Sequence, residues 1–282
     1  MTRFSLIIKY TLVVLLVFPG ASFSQKAMNS PSSSQPPIAG KIPHELEAHG
    51  HKRIDNYYWM RLSDEQKSAE DADEKTQRVL DYLNAENEYL KQSLAHTDAF
   101  QGGLYEEIVG RLKQDDASVP YFKNGYWYYT RFEEGKEHIV HCRKKGSLEG
   151  EEEILLDVNT LAEGHAYYAA SSLDVSPNNE VLAYSEDTFG RRIYTIRFKN
   201  LKTGEILPDR ITNVNPGVAW ANDNKTLFYA SKNKVTLLSE KIKRHQLGEA
   251  QSQDAVVYHE QDTSFYIGVV RSKSGKYIKI RK

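Results

Sequence analysis

The sequence predicts a mainly β fold, an incomplete β-propeller behind an α-helical amino-terminal extension, on three observations. The first is a strand–turn–strand unit within Gly164 to Leu201. There Val175 ends one apolar run, Ser176-Pro177-Asn178-Asn179 is turn chemistry, Val181 to Ser185 is rich in strand formers, and Arg192 to Phe198 alternates polar with apolar residues. The second is recurrence. Aligning Val175 with Trp220 places Pro177 on Asn222, Leu182 on Leu227 and Tyr184 on Tyr229, an offset of 45 residues. A weaker copy aligns Trp220 with Val270 and Leu227 with Tyr277 at an offset of 50, its turn written Ser272-Lys273-Ser274-Gly275. Short strands repeating every 40 to 50 residues or so are the mark of propeller blades. The third is a change of hydrophobic period at about Pro120, from 3.6 to two.

Composition narrows the function. The 282 residues are 40% apolar, enough to build a packed core. Lys and Arg number 37 against 38 Asp and Glu, so no global field draws nucleic acid or an anionic membrane, and no basic stripe with interleaved aromatics marks a nucleic-acid interface. The 18 Tyr suit pleated, half-buried faces. Cys142 is the single cysteine, which excludes an intrachain disulfide and a Cys-based zinc site; it reads as a buried strand thiol.

In chain order, residues 1–24 have the parts of a secretory signal: Arg3 and Lys9, the apolar run Tyr10 to Phe18, and small residues at Ser22-Phe23-Ser24. The apolar run is far shorter than the roughly 20 residues that span a bilayer, so the expectation is an exported chain, periplasmic or secreted, without a stable membrane anchor after cleavage. Residues 25–41 form a Ser/Pro-rich linker. A helical extension is expected over 42–115. One helix is read from Ser63 to Leu94, with Ser63 and Gln66 as capping box and Val79, Leu83, Leu90 and Leu94 as its apolar stripe. A second helix starts at Asp98 as N-cap, with Leu104, Ile108 and Leu112 on one face.

A partial propeller is expected over 116–282, of about three and a half blades. Strands Tyr126 to Phe132 and His138 to Arg143 flank a turn at Glu133-Glu134-Gly135-Lys136, and Ile154 to Asp157 follows. A second blade spans Ser171 to Leu207, a third Val218 to Tyr258, and a fourth begins at Phe265, its last strand Tyr277 to Ile280 meeting the end of the sequence without closure.

Six segments in order, Arg53 to Trp59 (RIDNYYW), Tyr82 to Tyr89 (YLNAENEY), Leu104 to Pro120 (LYEEIVGRLKQDDASVP), Gly125 to Thr130 (GYWYYT), Leu155 to His165 (LLDVNTLAEGH) and Gly190 to Thr195 (GRRIYT), carry a resemblance. Together they resemble the amino-terminal part of the oligopeptidase B (protease II) branch of the prolyl oligopeptidase family of serine peptidases. The resemblance implies a seven-bladed propeller capping an α/β-hydrolase domain, with the helical extension packing on that domain. It also implies hydrolysis of short peptides after Arg or Lys, the propeller excluding large folded substrates. The catalytic Ser, Asp and His of such enzymes lie in the carboxy-terminal half and have no counterparts among these residues.

No catalytic, cofactor-binding or metal-binding residue is therefore expected in this sequence. A hydrolase nucleophile needs a G-x-S-x-G elbow, and no serine here has both glycines. Ser147 comes nearest, but Lys145 and Glu149 stand where the glycines should be. His44, His49 and His51 invite a metal reading but lack a completing carboxylate or cysteine, and they read as loop histidines. His138 and His141, three apart on an expected strand, face opposite ways. Glu149 to Glu153 reads as a solvated loop, and Arg191-Arg192 as outward strand-edge charges rather than a site for an acidic ligand. The expectation is thus the front of an oligopeptidase B-like enzyme, inactive by itself. A stand-alone exported binding propeller and the inert product of an interrupted gene are the rival readings.

Overall fold

A computed structural model describes residues 35–282; the signal-like segment 1–24 and residues 25–34 of the linker lie outside the described residues. The chain divides into two units, the first running to Arg111 and the second spanning Leu112–Lys282. No helix among the described residues is long and apolar enough to cross a membrane.

The first unit opens with a hairpin of β1 (His44–Ala48) and β2 (His51–Asp55). Its two connecting residues, His49 and Gly50, have φ of 53° and 77°. Positive φ at both central positions is the type I′ turn, whose twist matches that of the flanking strands. His44 and His51 are therefore strand residues, contrary to the loop expected from sequence, and the His44 ring stacks on Tyr58 at 4.0 Å.

The long helix expected from Ser63 to Leu94 is two helices, α1 (Asp64–Ser68) and α2 (Glu74–Leu94). Ser63 and Gln66 do form the capping box. The second helix has its own cap: the Asp73 side chain accepts hydrogen bonds from Gln66 Nε2 at 2.8 Å and from the Thr76 N–H at 2.7 Å. Those bonds hold the Asp73 carboxyl at a pKa of about 2. The third helix, α3 (Asp98–Gly110), contains Asp98 instead of being capped by it; Thr97 precedes it in helical conformation and receives Gln101 Nε2 at 2.6 Å. Val79 is buried, whereas Leu83, Leu90 and Leu94 of the same stripe are exposed.

The second unit is built of antiparallel blades. The first is a four-stranded sheet in sequence order, β3 (Tyr121–Lys123), β4 (Tyr126–Arg131), β5 (Val140–Lys145) and β6 (Glu152–Asp157). His138 falls outside β5, so the expected strand starts two residues late. A short helix that periodicity does not reveal, α4 (Val158–Ala162), follows β6; the Asp157 carboxylate caps it by accepting from the Asn159 N–H at 2.9 Å.

Blades two and three share a seven-stranded sheet of β7 (Ala169–Val175), β8 (Val181–Asp187), β9 (Tyr194–Asn200), β10 (Ile206–Trp220), β11 (Thr226–Lys232), β12 (Ser239–Gln246) and β13 (Ala255–His259), again in sequence order. The fifteen-residue β10 explains the sharing. From Ile206 to Val214 it pairs with β9 as the outer strand of the second blade, and from Val214 to Trp220 it pairs with β11 as the inner strand of the third. The second blade thus runs past Leu207, the end expected from sequence, because β10 stays paired with β9 as far as Val214; Pro216-Gly217 lies in a register shift of the β10–β11 pairing, between Val214 and Val218. A last pair, β14 (Gly268–Arg271) and β15 (Ile278–Arg281), begins the fourth blade.

Three apolar clusters lie between successive blades. One joins Tyr128, Leu155 and Leu156 to Leu182 and Tyr184, a second joins Ile196, Phe198 and Ile211 to Trp220, Leu227 and Tyr229, and a third joins Ala219, Ala230 and Ile242 to Ile267 and Val269. This face-to-face burial is how a propeller divides its core among blades. Cys142, 1% exposed on β5, has its thiol pushed up to about 11 by burial, the inert state expected of a core cysteine.

The acidic run divides its roles. Glu152 and Glu153 belong to β6 and are paired, Glu152 with Arg131 at 3.0 Å and Glu153 with Arg143 at 2.8 Å, so the expected solvated loop covers only part of it. Arg143 is buried; it also donates to the Asn179 carbonyl at 3.2 Å and lies 4.0 Å over the Tyr126 ring, tying the first blade to the second.

Candidate functional site

The strands that open each blade, β3, β7, the end of β10 and β14, line one cavity of ≈ 830 Å³. The turns that leave the opening strands of the second to fourth blades are one device repeated. Asn179, Asn224 and Gly275 occupy equivalent positions at φ of 65°, 61° and 70°, the left-handed region that Asn and Gly enter most readily, while the first blade turns on the two residues Asn124 and Gly125 at φ of 49° and 84°. In the second to fourth blades the same backbone bond closes the turn: Ser176 N–H to Val181 carbonyl, Ala221 to Thr226 and Ser272 to Tyr277, each at 2.8 Å. Neighbouring turns are bonded to each other as well. Asn179 Nδ2 donates to the Asn124 carbonyl at 3.3 Å, Asn224 Oδ1 accepts from the Asn178 N–H at 2.8 Å, and Asn222 Nδ2 donates to the Gly275 carbonyl at 3.4 Å. Deeper in, Trp220 Nε1 donates to the Asp174 carbonyl at 3.0 Å, so the inner strands of blades two and three are fixed to one another.

The wall is electropositive. Lys123 pairs with Asp174 at 3.0 Å across the first two blades. Arg271 is held by its own turn, donating from Nη2 to the Gly275 carbonyl at 3.1 Å and to Asn222 Oδ1. Lys273 and Arg281, also lining the cavity, make no ion pair among the described residues. Such a wall offers cations and backbone edges, suited to holding or steering an anionic or peptide-like group; nothing in it is a nucleophile beside a base. Sequence reasoning gave none of these residues a functional role, although Lys273 falls in a turn that it read. The available signal was positional for Lys123, Asp174, Arg271 and Lys273, which lie in or near the turns that leave the opening strands; Arg281, at the end of β15, carried none.

The residues that sequence did single out are scattered. Ser147 sits in the β5–β6 turn, where its Oγ accepts from the Glu149 N–H at 3.3 Å; it opens no helix and meets no imidazole. His141 is on β5 with Nε2 buried and unpartnered, and burial lowers its pKa, while His138 lies in the preceding loop. Arg191 and Arg192 are not strand-edge residues: they lie in the β8–β9 loop, where the Arg192 N–H donates to Asp187 Oδ2 at 2.7 Å and its carbonyl accepts from Lys232 Nζ. No group of three or more His, Cys, Asp or Glu among the described residues is arranged to hold a metal ion.

One cluster missed by sequence has the look of catalytic machinery. His245 on β12 places Nδ1 2.8 Å from Asp254 Oδ1 and Nε2 3.3 Å from Asp209 Oδ1. Asp254 Oδ2 accepts from the Tyr229 hydroxyl at 2.7 Å, and Asp209 Oδ1 from the Gly248 N–H at 2.6 Å. Burial, then the bond to Asp254, raises the Tyr229 pKa well above its ordinary value. The imidazole is 1% exposed and has a carboxylate at each nitrogen, so neither nitrogen is free to take a proton from a nucleophile. The cluster clamps β10, β11 and β12 to the segment before β13.

Residues 36–281 match the family described as prolyl oligopeptidase, N-terminal beta-propeller domain. Dipeptidyl aminopeptidase BI of Pseudoxanthomonas mexicana is 46% identical over 264 residues, a match covering 88% of this chain and 35% of that protein. Protease 2 of Moraxella lacunata is 30% identical over 249 residues, covering 86% of this chain and 34% of its own length. Among solved structures, oligopeptidase B from Leishmania major superposes with a TM-score of 0.78 at 30% identity, covering 88% of this chain and 36% of that one. The chain spans about a third of the length of the curated relatives it matches.

Proposed function

The chain belongs to the prolyl oligopeptidase family, as its amino-terminal propeller portion, and on that premise we propose that it forms the channel-bearing part of an exported peptidase that hydrolyses short peptides after Arg or Lys. The observation that carries this reading is the single cavity lined by the opening strands of four successive blades, within a family match that runs through all of them. A passage walled by rigid, mutually bonded turns passes an extended peptide and turns away a folded one. The Arg/Lys preference rests on the likeness to oligopeptidase B and protease 2. The relative named a dipeptidyl aminopeptidase, at higher identity, favours a second mode on the same channel, release of dipeptides from a free amino terminus.

These 282 residues alone are proposed to be inactive, because acyl transfer needs a nucleophile, a base and an oxyanion hole acting together. The purified chain is expected to release no product from amino-terminally blocked Arg or Lys substrates or from free dipeptide substrates. Turnover that Ser147→Ala abolishes would overturn the proposal. Export is read from Arg3, Lys9, Tyr10 to Phe18 and Ser22-Phe23-Ser24. Mass spectrometry of the mature amino terminus should find Gln25 or a close neighbour, and intact Met1 in the cytoplasm would contradict it.

A further inference from the structure

A second cleft, of ≈ 420 Å³, opens between blades two and three, with Thr212 and Asn213 of β10 on one side and Lys232, Lys241 and Lys243 of β11 and β12 on the other. Lys234 lines it too, and Glu240 is the one carboxylate among the lining residues. That carboxylate is already committed, accepting from Lys241 Nζ at 3.2 Å and from Asn233 Nδ2 at 3.1 Å. The Lys232 ammonium donates only to the Arg192 carbonyl, and the Lys243 ammonium makes no hydrogen bond or ion pair with another described residue.

Lys232, Lys241 and Lys243 are half-buried. Burial, followed by the like charge of Arg192, lowers the Lys232 pKa from its ordinary value. Drawing ammonium groups together out of water is unfavourable unless a counter-charge joins them; the lining sets Glu240 alone against four lysines, and Asp187, outside the lining, acts on Lys232 but is opposed there by Arg192. Lys241 and Lys243 are two apart on β12 and so share a face, their stems about 7 Å apart along the strand. That spacing fits an anion carrying more than one charged group.

We propose that this inter-blade cleft binds a small multivalent oxyanion, of phosphate or polycarboxylate type, held by Lys232, Lys241 and Lys243. It shares no lining residue with the channel cavity and does not depend on the peptidase reading.

Calorimetric titration of the full chain at low ionic strength, with pyrophosphate and citrate in separate runs against sodium chloride at equal ionic strength, tests the proposal. Saturable one-site binding is expected, and the tighter of the two anions identifies the phosphate or the carboxylate source. Lys232→Gln and Lys243→Gln should each weaken binding about tenfold, the scale of a lost charge-assisted hydrogen bond. Lys243→Arg should restore most of it, and Lys276→Gln, on the exposed β14–β15 turn, should leave it unchanged. Thermal melting of the unaltered chain gives a readout independent of the variants: the melting temperature should rise with either anion beyond the chloride control. No saturable binding and no rise in melting temperature, or binding that the Lys232→Gln/Lys243→Gln pair leaves unaltered, would overturn the proposal.

Discussion

Replacing His245 by alanine is expected to cost the second unit about 3–5 kcal/mol of stability, the scale for breaking a buried charged network by removing one partner. The ring is 1% exposed and stands between Asp254 at 2.8 Å and Asp209 at 3.3 Å. Its removal leaves two nearly buried carboxylates facing a void, with Tyr229 and the Gly248 N–H as their remaining partners. It also removes the ring that stacks on Phe198 with centroids 6.0 Å apart. For a unit of this size the loss corresponds to a melting temperature lower by roughly 6–20 °C. Thermal unfolding followed by circular dichroism reads it. A variant melting within a degree or two of the parent would show that the cluster is not the clamp described. The combined change His245→Leu with Asp209→Asn and Asp254→Asn should recover much of the loss, because it removes the charges along with their partner.

Trp220→Ala is expected to be about as damaging, on the order of 3–5 kcal/mol for an aromatic side chain deleted from a packed core. Trp220 is 1% exposed within the cluster between blades two and three, edge-on to Phe198 at 6.0 Å. Its Nε1 bond to the Asp174 carbonyl fixes the inner strands that line the large cavity. Trp220→Phe fills part of the volume but makes no such bond, so it should fall between the parent and the alanine variant. Urea unfolding midpoints of the three proteins provide the comparison. Equal midpoints for Trp220→Ala and the parent would contradict the inter-blade core.

The repeat that sequence exposed, Val175 onto Trp220 and Leu182 onto Leu227, is the structural repeat, because both positions of each pair stand at the same place in successive blades. It was legible because side-chain alternation and turn chemistry are local. The 15 residues of β10 were not, since that strand changes partners midway and carries Pro216 and Gly217 at the change. The break at Asp73 was missed for a related reason: an acidic residue stabilises the first turn of a helix and caps a new one by the same electrostatics. The cavity wall was invisible because Lys123, Asp174 and the Arg271/Arg281 hairpin are far apart in sequence and meet only through blade packing. His245, Asp209 and Asp254 share no spacing rule, and only the fold brings them within hydrogen-bond reach.

The most direct measurement joins residues 36–281 of this chain to the remaining sequence of the Pseudoxanthomonas mexicana relative, in place of the region they match. Activity is then assayed on short Arg- and Lys-containing peptides, free dipeptide substrates and a folded protein. The account predicts a chimera that hydrolyses the short substrates and spares the folded one, with the substrate that is cut distinguishing cleavage after Arg or Lys from dipeptide release. A folded chimera that cuts no short peptide, or that cuts the folded protein as readily, would contradict it.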